Sequence, residues 1–128
     1  MKLLYITKTS ITTSGGGGEK RAREVTKRLA SRGHDVTIVC GKTEQDLPQW
    51  TSFNGCRVRH ISCVPSFLLK YPRVGFFAPR YLFALVSFPI LVSMLIKTDF
   101  DVIMENMTPY PTLTILLSKF TQVPIVAV

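Results

Sequence analysis

The hydrophobic positions of the first forty residues predict a strand, a helix and a second strand. Residues 2–7 form a short apolar run typical of a buried strand. From Glu19 to Arg32, apolar side chains recur at helical spacing between charged ones, and Gly33 follows where a left-handed cap belongs. Val36–Cys40 is β-branched and apolar. It predicts a second strand, parallel to the first and reached by a right-handed crossover.

The rest of the chain continues this alternation. Asn54-Gly55 predicts a turn, and 57–61 alternates charged and apolar residues in the manner of an edge strand buried on one face. Four prolines between 64 and 98 predict that any helix there is broken or kinked, with the best helix over 80–97. The pattern further predicts a strand over 100–105, a helix over 110–120 and a last strand over 123–128. We therefore expect an α/β fold, a doubly wound parallel sheet of the Rossmann-like kind.

The size and composition of the chain fit one domain over residues 1–128. Apolar residues make up 46% and charged residues 19%, enough to build a packed core. The chain stops on an apolar strand without the polar loop and covering helix that would complete it, so we expect a truncated domain. Three cysteines, without paired metal-ligand spacing, indicate a reduced, cytoplasmic chain without structural zinc.

The strongest chemical signal is the order of a strand, a glycine run and a helix start. Gly15, Gly16, Gly17 and Gly18 separate the first strand from the helix that opens at Glu19. Backbone N–H groups freed by glycine and by a first helical turn together make an anion site. We expect Gly15–Gly18 and Glu19 to face a phosphate. The alternative is a flexible surface loop.

Two nucleotide-binding patterns fail on their spacing. The dinucleotide fingerprint needs a glycine where this chain has Lys20 or Arg21, and the second strand ends in Cys40-Gly41-Lys42 without an acid for a ribose. Gly41-Lys42-Thr43 lacks the earlier glycine of a P-loop, since Val36 stands there. Asp99-Phe100-Asp101 has the form of a metal-binding transferase motif but precedes its strand. We interpret it as the polar start of that strand.

Glu105 and Asn106 follow the strand over 100–105 directly. In an open α/β sheet, ligands bind in the crevice beyond the carboxyl ends of the strands. We name Glu105 and Asn106 as candidate catalytic residues, with Glu105 accepting a hydrogen bond from a sugar hydroxyl. Alternatively, Asn106 and Thr108 only cap the next helix.

Charge and apolar surface suggest an anionic partner. The net charge is +8, and the segment 19–32 carries six basic against two acidic residues. Residues 81–96 are uncharged, shorter than the about 20 residues of a membrane span, and interrupted by Pro89. Two interpretations of this apolar segment remain. It docks on anionic lipid, or it packs in the core.

Three passages resemble the N-terminal domain of family 4 retaining glycosyltransferases. They are Ser14–Glu19, the run from Leu29 to Thr37 through Arg32-Gly33-His34-Asp35, and Phe100–Ile103. The resemblance spans most of the chain, and the passage from Arg32 to Thr37 is its most specific part. It implies the acceptor-side half of a two-domain GT-B enzyme, whose C-terminal donor-binding domain is absent here.

This resemblance implies transfer of a sugar from a nucleotide-sugar donor to a saccharide or lipid-linked acceptor, with retained anomeric configuration. It implies no cofactor, no bound metal and no nucleic acid partner, with the glycine loop approaching the donor diphosphate. Many members carry a histidine after the fourth strand, where this chain has Glu105-Asn106-Met107. We expect a cytoplasmic enzyme, peripheral on the inner face of the membrane, whose present 128 residues are inactive alone.

Two other classes remain alternatives at this point. One is an NAD(P)- or nucleotide-binding Rossmann domain, against which the failed glycine spacing argues. The other is a non-catalytic basic adaptor for phosphate or lipid.

Overall fold

A computed structural model of the chain describes residues 1–8, 10–12, 17–42, 47–62, 71–106 and 114–127. These residues form a six-stranded sheet and three helices. In chain order the elements are β1 (Lys2–Thr7), α1 (Gly17–Ser31), β2 (Asp35–Gly41), β3 (Trp50–Phe53), β4 (Cys56–Ile61), α2 (Pro72–Lys97), β5 (Val102–Glu105), α3 (Thr114–Thr121) and β6 (Ile125–Ala127).

The sheet has the order β3-β4-β2-β1-β5-β6, and all its pairs are parallel except the β3–β4 hairpin. The chain starts at the central strand β1 and builds outwards through β2 and β4. It then crosses over through α2 to β5 and β6 on the other side of β1. The direction of winding therefore reverses between β1 and β5, and the predicted doubly wound, Rossmann-like α/β fold is confirmed.

The core has two parts, one on each face of the sheet. On one face Leu3 and Tyr5 of β1 pack with Ala22 of α1. On the other face Leu4 and Ile6 pack with side chains of α2 and α3, including Leu91. Because helices cover both faces, β1 and β2 are buried along almost their whole length, as an apolar run without alternation predicts.

The end of α1 confirms the predicted glycine cap. Gly33 has φ +88°. Its N–H donates to the carbonyl oxygen of Ala30 at 3.1 Å, and the N–H of His34 donates to that of Leu29 at 3.3 Å. These two bonds form a Schellman motif, which needs the left-handed conformation that glycine adopts without strain.

The strand over 57–61 was wrongly predicted to lie at an edge. It forms β4, which extends over Cys56–Ile61 and pairs with β2 on one side and β3 on the other. The predicted turn exists: Asn54 and Gly55 have φ +51° and +80°, as in a tight hairpin. The edge is occupied by β3, which was not predicted because Trp50–Phe53 is too short and too polar to stand out as a strand.

The helix between 64 and 98 was predicted to be broken or kinked, and over the part that the structure describes it is not broken. A single helix, α2, extends over 26 residues from Pro72 to Lys97. Pro72 lies in its first turn, where the missing N–H has no partner to lose. The exposed Pro89 removes one internal hydrogen bond, while Leu91 and Leu95 remain anchored in the core. Tertiary packing keeps the helix continuous there.

The strands β5 and β6 each begin two residues later than predicted. β5 begins at Val102, and Asp101 lies directly before it. The Asp101 carboxylate accepts a hydrogen bond from the N–H of Lys2 at 2.7 Å, and the N–H of Asp101 donates to the Lys2 carbonyl oxygen at 2.8 Å. Asp101 thus lies at the amino edge of the sheet, away from the ligand edge. Helix α3 begins at Thr114, and β6 covers Ile125–Ala127; residues 110–113 and 128 lie outside the described ranges.

Candidate functional site

The carboxyl ends of β1 and β5 meet where the sheet reverses its winding direction. Thr7 and Lys8 leave β1 there, and Glu105 and Asn106 leave β5 beside them. Thr7, Lys8 and Asn106 are buried although they are polar. Buried polar groups at this point of an open sheet mark the crevice in which such folds bind ligands.

Asn106 connects three segments of this site. Its N–H donates to the carbonyl oxygen of Ile6 at 3.0 Å, which extends the pairing of β5 with β1. Its side-chain oxygen accepts a hydrogen bond from Nη2 of Arg21 at 3.1 Å, and its Nδ2 lies 3.5 Å from the carbonyl oxygen of Gly18. With 3% of its surface exposed, Asn106 holds the beginning of α1 against the end of β5.

The glycine run reaches this crevice at its C-terminal end. Helix α1 begins at Gly17, two residues before the predicted start, so its first turn contains Gly17, Gly18 and Glu19. The first N–H groups of an α-helix have no acceptor within the helix and carry its positive partial charge. Gly15 and Gly16 lie outside the described residues.

Gly17 and Gly18 differ in the space around them. Among the described atoms, a Cβ added to Gly17 would meet nothing within 4 Å, and the residue is exposed. A Cβ added to Gly18 would lie 3.2 Å from Nδ2 of Asn106. Gly17 therefore leaves open space in front of the helix, whereas Gly18 allows the close contact with Asn106.

Lys8 and Glu105 form an ion pair across the ends of the two strands. Nζ of Lys8 lies 3.9 Å from Oε1 of Glu105, and the two side chains are 6% and 13% exposed. Burial lowers the pKa of Lys8, and the charge of Glu105 acts in the opposite direction. The pair places a cation and a carboxylate side by side at the base of the crevice.

Gly41 lets the segment after β1 pack against the end of β2. A Cβ on Gly41 would overlap the carbonyl oxygen of Lys8 and would come within 3.4 Å of Phe83. Any larger residue would push the Lys8 backbone away from the sheet. The glycine of the rejected P-loop pattern thus has a structural role beside the site.

The buried His60 contacts the segment after β1 through Ser10. Nδ1 of His60 lies 2.9 Å from the carbonyl oxygen of Pro48, which can only accept, so Nδ1 carries the proton. Nε2 is then the acceptor for the Ser10 hydroxyl at 2.9 Å. Burial, partly opposed by the hydrogen bond to Pro48, lowers the pKa of His60, and the charge of Lys42 lowers it further.

Of the predicted site, the structure thus brings Gly18 into contact with Asn106, which follows Glu105 directly, and Gly17 and Glu19 lie in the same helical turn as Gly18. Thr108 lies outside the described residues, and Asn106 is engaged with α1 rather than only with the chain that follows it. Lys8 and His60 were not predicted as site residues. Both stand at the carboxyl ends of predicted strands, and that position is the signal that could have found them.

Within the described ranges, no group of three or more His, Cys, Asp or Glu side chains could hold a metal ion. Cys40 and Cys56 are buried thiols, and burial raises the pKa of Cys40 to about 12. A thiol with such a pKa is not a nucleophile near neutral pH.

The comparisons with known proteins show the family and the fold of the chain. Residues 16–128 match the family described as glycosyl transferase 4-like domain, and the chain belongs to that family. Among solved structures, it is similar to sucrose-phosphate synthase from Thermosynechococcus elongatus, with a TM-score of 0.60 and 20% identity over 82% of this chain. A comparison with curated proteins finds no match.

The structural match concerns the fold, and it covers 27% of the sucrose-phosphate synthase chain. Together with the family, it identifies this chain as the N-terminal domain of a glycosyltransferase, with the Rossmann-like half of a GT-B fold.

The buried His60 predicts a pH dependence of stability. Because its pKa is lower in the folded state than the about 6.5 of an exposed histidine, the unfolded state binds more protons between these two values. The free energy of unfolding should therefore fall as the pH is lowered through this window. Urea unfolding at several pH values between 7.5 and 5 measures the slope, which should be weaker in His60→Gln.

His34→Gln is the matched control, since His34 lies at the opposite edge of the sheet beside the N-terminal amine. The part of the slope that His60 contributes should remain in this variant. A wild-type slope in His60→Gln would contradict the assignment to His60.

Proposed function

We propose that this domain is the acceptor-side half of an enzyme that transfers a sugar from a nucleotide-sugar donor, with retained anomeric configuration and without a bound metal or cofactor. The observation that carries the proposal is the contact of Gly18 with Asn106. It sets the first turn of α1 at the crevice between β1 and β5. Membership in the glycosyltransferase family supplies the reaction class.

The chemistry of the crevice suits a diphosphate. The amides of the first turn of α1 present partial positive charge, and Arg21 adds a cationic group nearby. When the bond between the sugar and the diphosphate breaks, negative charge grows on the leaving diphosphate. Fixed dipoles directed at that charge stabilise the transition state more than the ground state.

Glu105 and Asn106 have different roles in this proposal. Asn106 is a positioning residue, because its side chain fixes the first turn of α1. Glu105 keeps the candidate role of accepting a hydrogen bond from an acceptor hydroxyl, with Lys8 holding its carboxylate in place. Donor recognition falls to a second domain, so the 128 residues alone should bind ligand without turning over.

The alternatives receive less support. A nicotinamide-dependent enzyme needs an acid after the second strand, where the structure has Gly41 packed on the Lys8 backbone. A non-catalytic adaptor would not require the match to a glycosyltransferase family over residues 16–128.

Gly17→Val in the full-length enzyme tests the role of the glycine run. The added side chain would project into open space and hinder a diphosphate without a clash among the described atoms. We expect kcat/KM for the nucleotide sugar to fall at least about tenfold, which is about 1.4 kcal/mol of lost transition-state stabilisation. Release of nucleoside diphosphate, measured after a screen of nucleotide sugars, provides the rate.

Ser31→Val, at the other end of the same helix, is the control and should leave the rate unchanged. Wild-type turnover by a folded Gly17→Val variant would remove the glycine run from the site. Failure of the folded wild-type enzyme to use any nucleotide sugar would contradict the proposed reaction itself.

The proposal extends to peripheral contact with anionic lipid on the inner face of the membrane. Ile96 at the end of α2 and Phe120 of α3 are 75% and 73% exposed, and Lys97 and Lys119 lie next to them in sequence. The two apolar residues border a groove of about 250 Å³ that is also lined by Phe88, Val92 and Thr121. In the described part of the chain, no helix combines the length and hydrophobicity needed to cross a membrane.

Flotation with anionic liposomes tests this contact. The wild-type protein should float at moderate salt, because apolar insertion adds to about 1 kcal/mol for each lysine near the surface. The double variant Ile96→Asp/Phe120→Asp should remain in the soluble fraction. Trp50→Asp, an exposed apolar residue at the far edge of the sheet, should float like the wild type. A wild-type protein that does not float contradicts the membrane contact.

A further inference from the structure

A second pocket opens at the same edge of the sheet, beyond the ends of β2 and β4. Its volume is about 300 Å³, at the lower end of the range for small-molecule sites. It lies on the opposite side of β1 from Glu105. Its lining consists of Lys42, Leu47, Gln49, Arg59, His60, Ile61, Ser62 and Ile90.

Among the described residues that line the pocket, the charged side chains are cationic. Lys42 follows β2 and Arg59 belongs to β4, and both line the pocket. Neither forms an ion pair with a carboxylate among the described residues. The guanidinium of Arg59 lies 5.4 Å from the ring centre of Trp50, a contact that orients it without neutralising its charge.

The remaining lining suits a small polar ring. Ile61 and Ile90 offer apolar surface for the C–H groups of a sugar, while Gln49 and Ser62 bring hydrogen-bonding side chains. This combination of an apolar base with a few polar groups is typical of small-ligand sites. The two cations add a preference for a ligand that carries negative charge.

The pocket is connected to the crevice of the proposed diphosphate. His60 forms part of its wall and accepts the hydrogen bond from Ser10, which lies between β1 and the glycine run. A ligand in the pocket and a diphosphate in front of α1 would therefore lie on either side of the segment that follows β1.

From this arrangement we infer that the pocket binds the anionic group of the acceptor, a phosphate ester or a carboxylate carried by a sugar. The inference rests on the proposed glycosyl transfer and specifies the chemistry of its acceptor. Lys42 and Arg59 are the specificity-determining residues, and an Arg–anion contact of this kind is able to use two parallel N–H donors.

Binding measurements with the full-length protein and no donor test the pocket directly. By calorimetry, glucose 6-phosphate or glucuronate should bind at least about tenfold more tightly than glucose. Comparison of the two charged sugars distinguishes a phosphate from a carboxylate. Lys42→Gln and Arg59→Gln should each remove this preference, and Arg59→Lys should retain part of it because the charge remains.

Lys27→Gln, an exposed cation on α1, is the matched control and should bind like the wild type. Equal binding of charged and neutral sugars, or an unchanged preference in a folded Lys42→Gln/Arg59→Gln variant, would overturn the assignment. In turnover assays these variants should raise the KM for a charged acceptor with little change in kcat.

The glycosyl transfer reaction and the anionic acceptor can be refuted independently of each other. Efficient transfer to a neutral acceptor that is insensitive to Lys42→Gln and Arg59→Gln overturns the anionic acceptor while the glycosyl transfer stands. Anion binding that depends on Lys42, in a protein that releases no nucleoside diphosphate from any nucleotide sugar, overturns the transfer reaction while the anion site itself stands.

Discussion

The position of α1 against the end of β5 is the constraint on which the site depends. Parallel pairing brings β1 and β5 together, and the N–H of Asn106 extends that pairing by one more bond to Ile6. The side chain of Asn106 then meets Gly18 and Arg21 at the start of α1. Because this contact crosses the reversal point of the sheet, it fixes the positive end of the helix at the one place where both halves of the sheet leave a crevice.

The same edge of the sheet separates two kinds of positive charge. In front of α1 the positive charge comes largely from backbone amides. Their positions are fixed by the helix, which suits the binding of a diphosphate. In the pocket beyond β2 and β4 it comes from Lys42 and Arg59. The segment after β1, held by His60 and allowed close approach by Gly41, lies between them. One backbone segment thus sets the distance between the two regions.

Much of the fold could be predicted from the sequence because buried parallel strands and an amphipathic helix leave strong local patterns. A few neighbouring residues are enough to predict the apolar strands over 2–7 and 36–40 and the helix cap at Gly33. The edge position of β4 and the break in α2 were wrongly predicted, because both depend on distant packing. A four-residue strand pairs with β4, and anchoring by Leu91 and Leu95 overrides the prolines.

The site was predictable in part for the same reason. The glycine run and Glu105-Asn106 could be identified because they follow strands directly. Lys8 and His60 also stand at strand ends, a position that could have marked them, but their partners lie elsewhere in the chain: Glu105 for one, Ser10 and Pro48 for the other. No local pattern encodes such pairs. The pairing of such residues could therefore be recognised only in the folded structure.

Amide NMR of the full-length protein with ¹⁵N-labelled glycine tests the central claim most directly. UDP, GDP and ADP are titrated in turn, and the glycine resonances are followed. The nucleotide that binds should shift the resonances of Gly17 and Gly18, whereas Gly33 and Gly55, at the opposite edge of the sheet, should not move. Saturable binding that leaves Gly17 and Gly18 unshifted would contradict a phosphate contact at the start of α1.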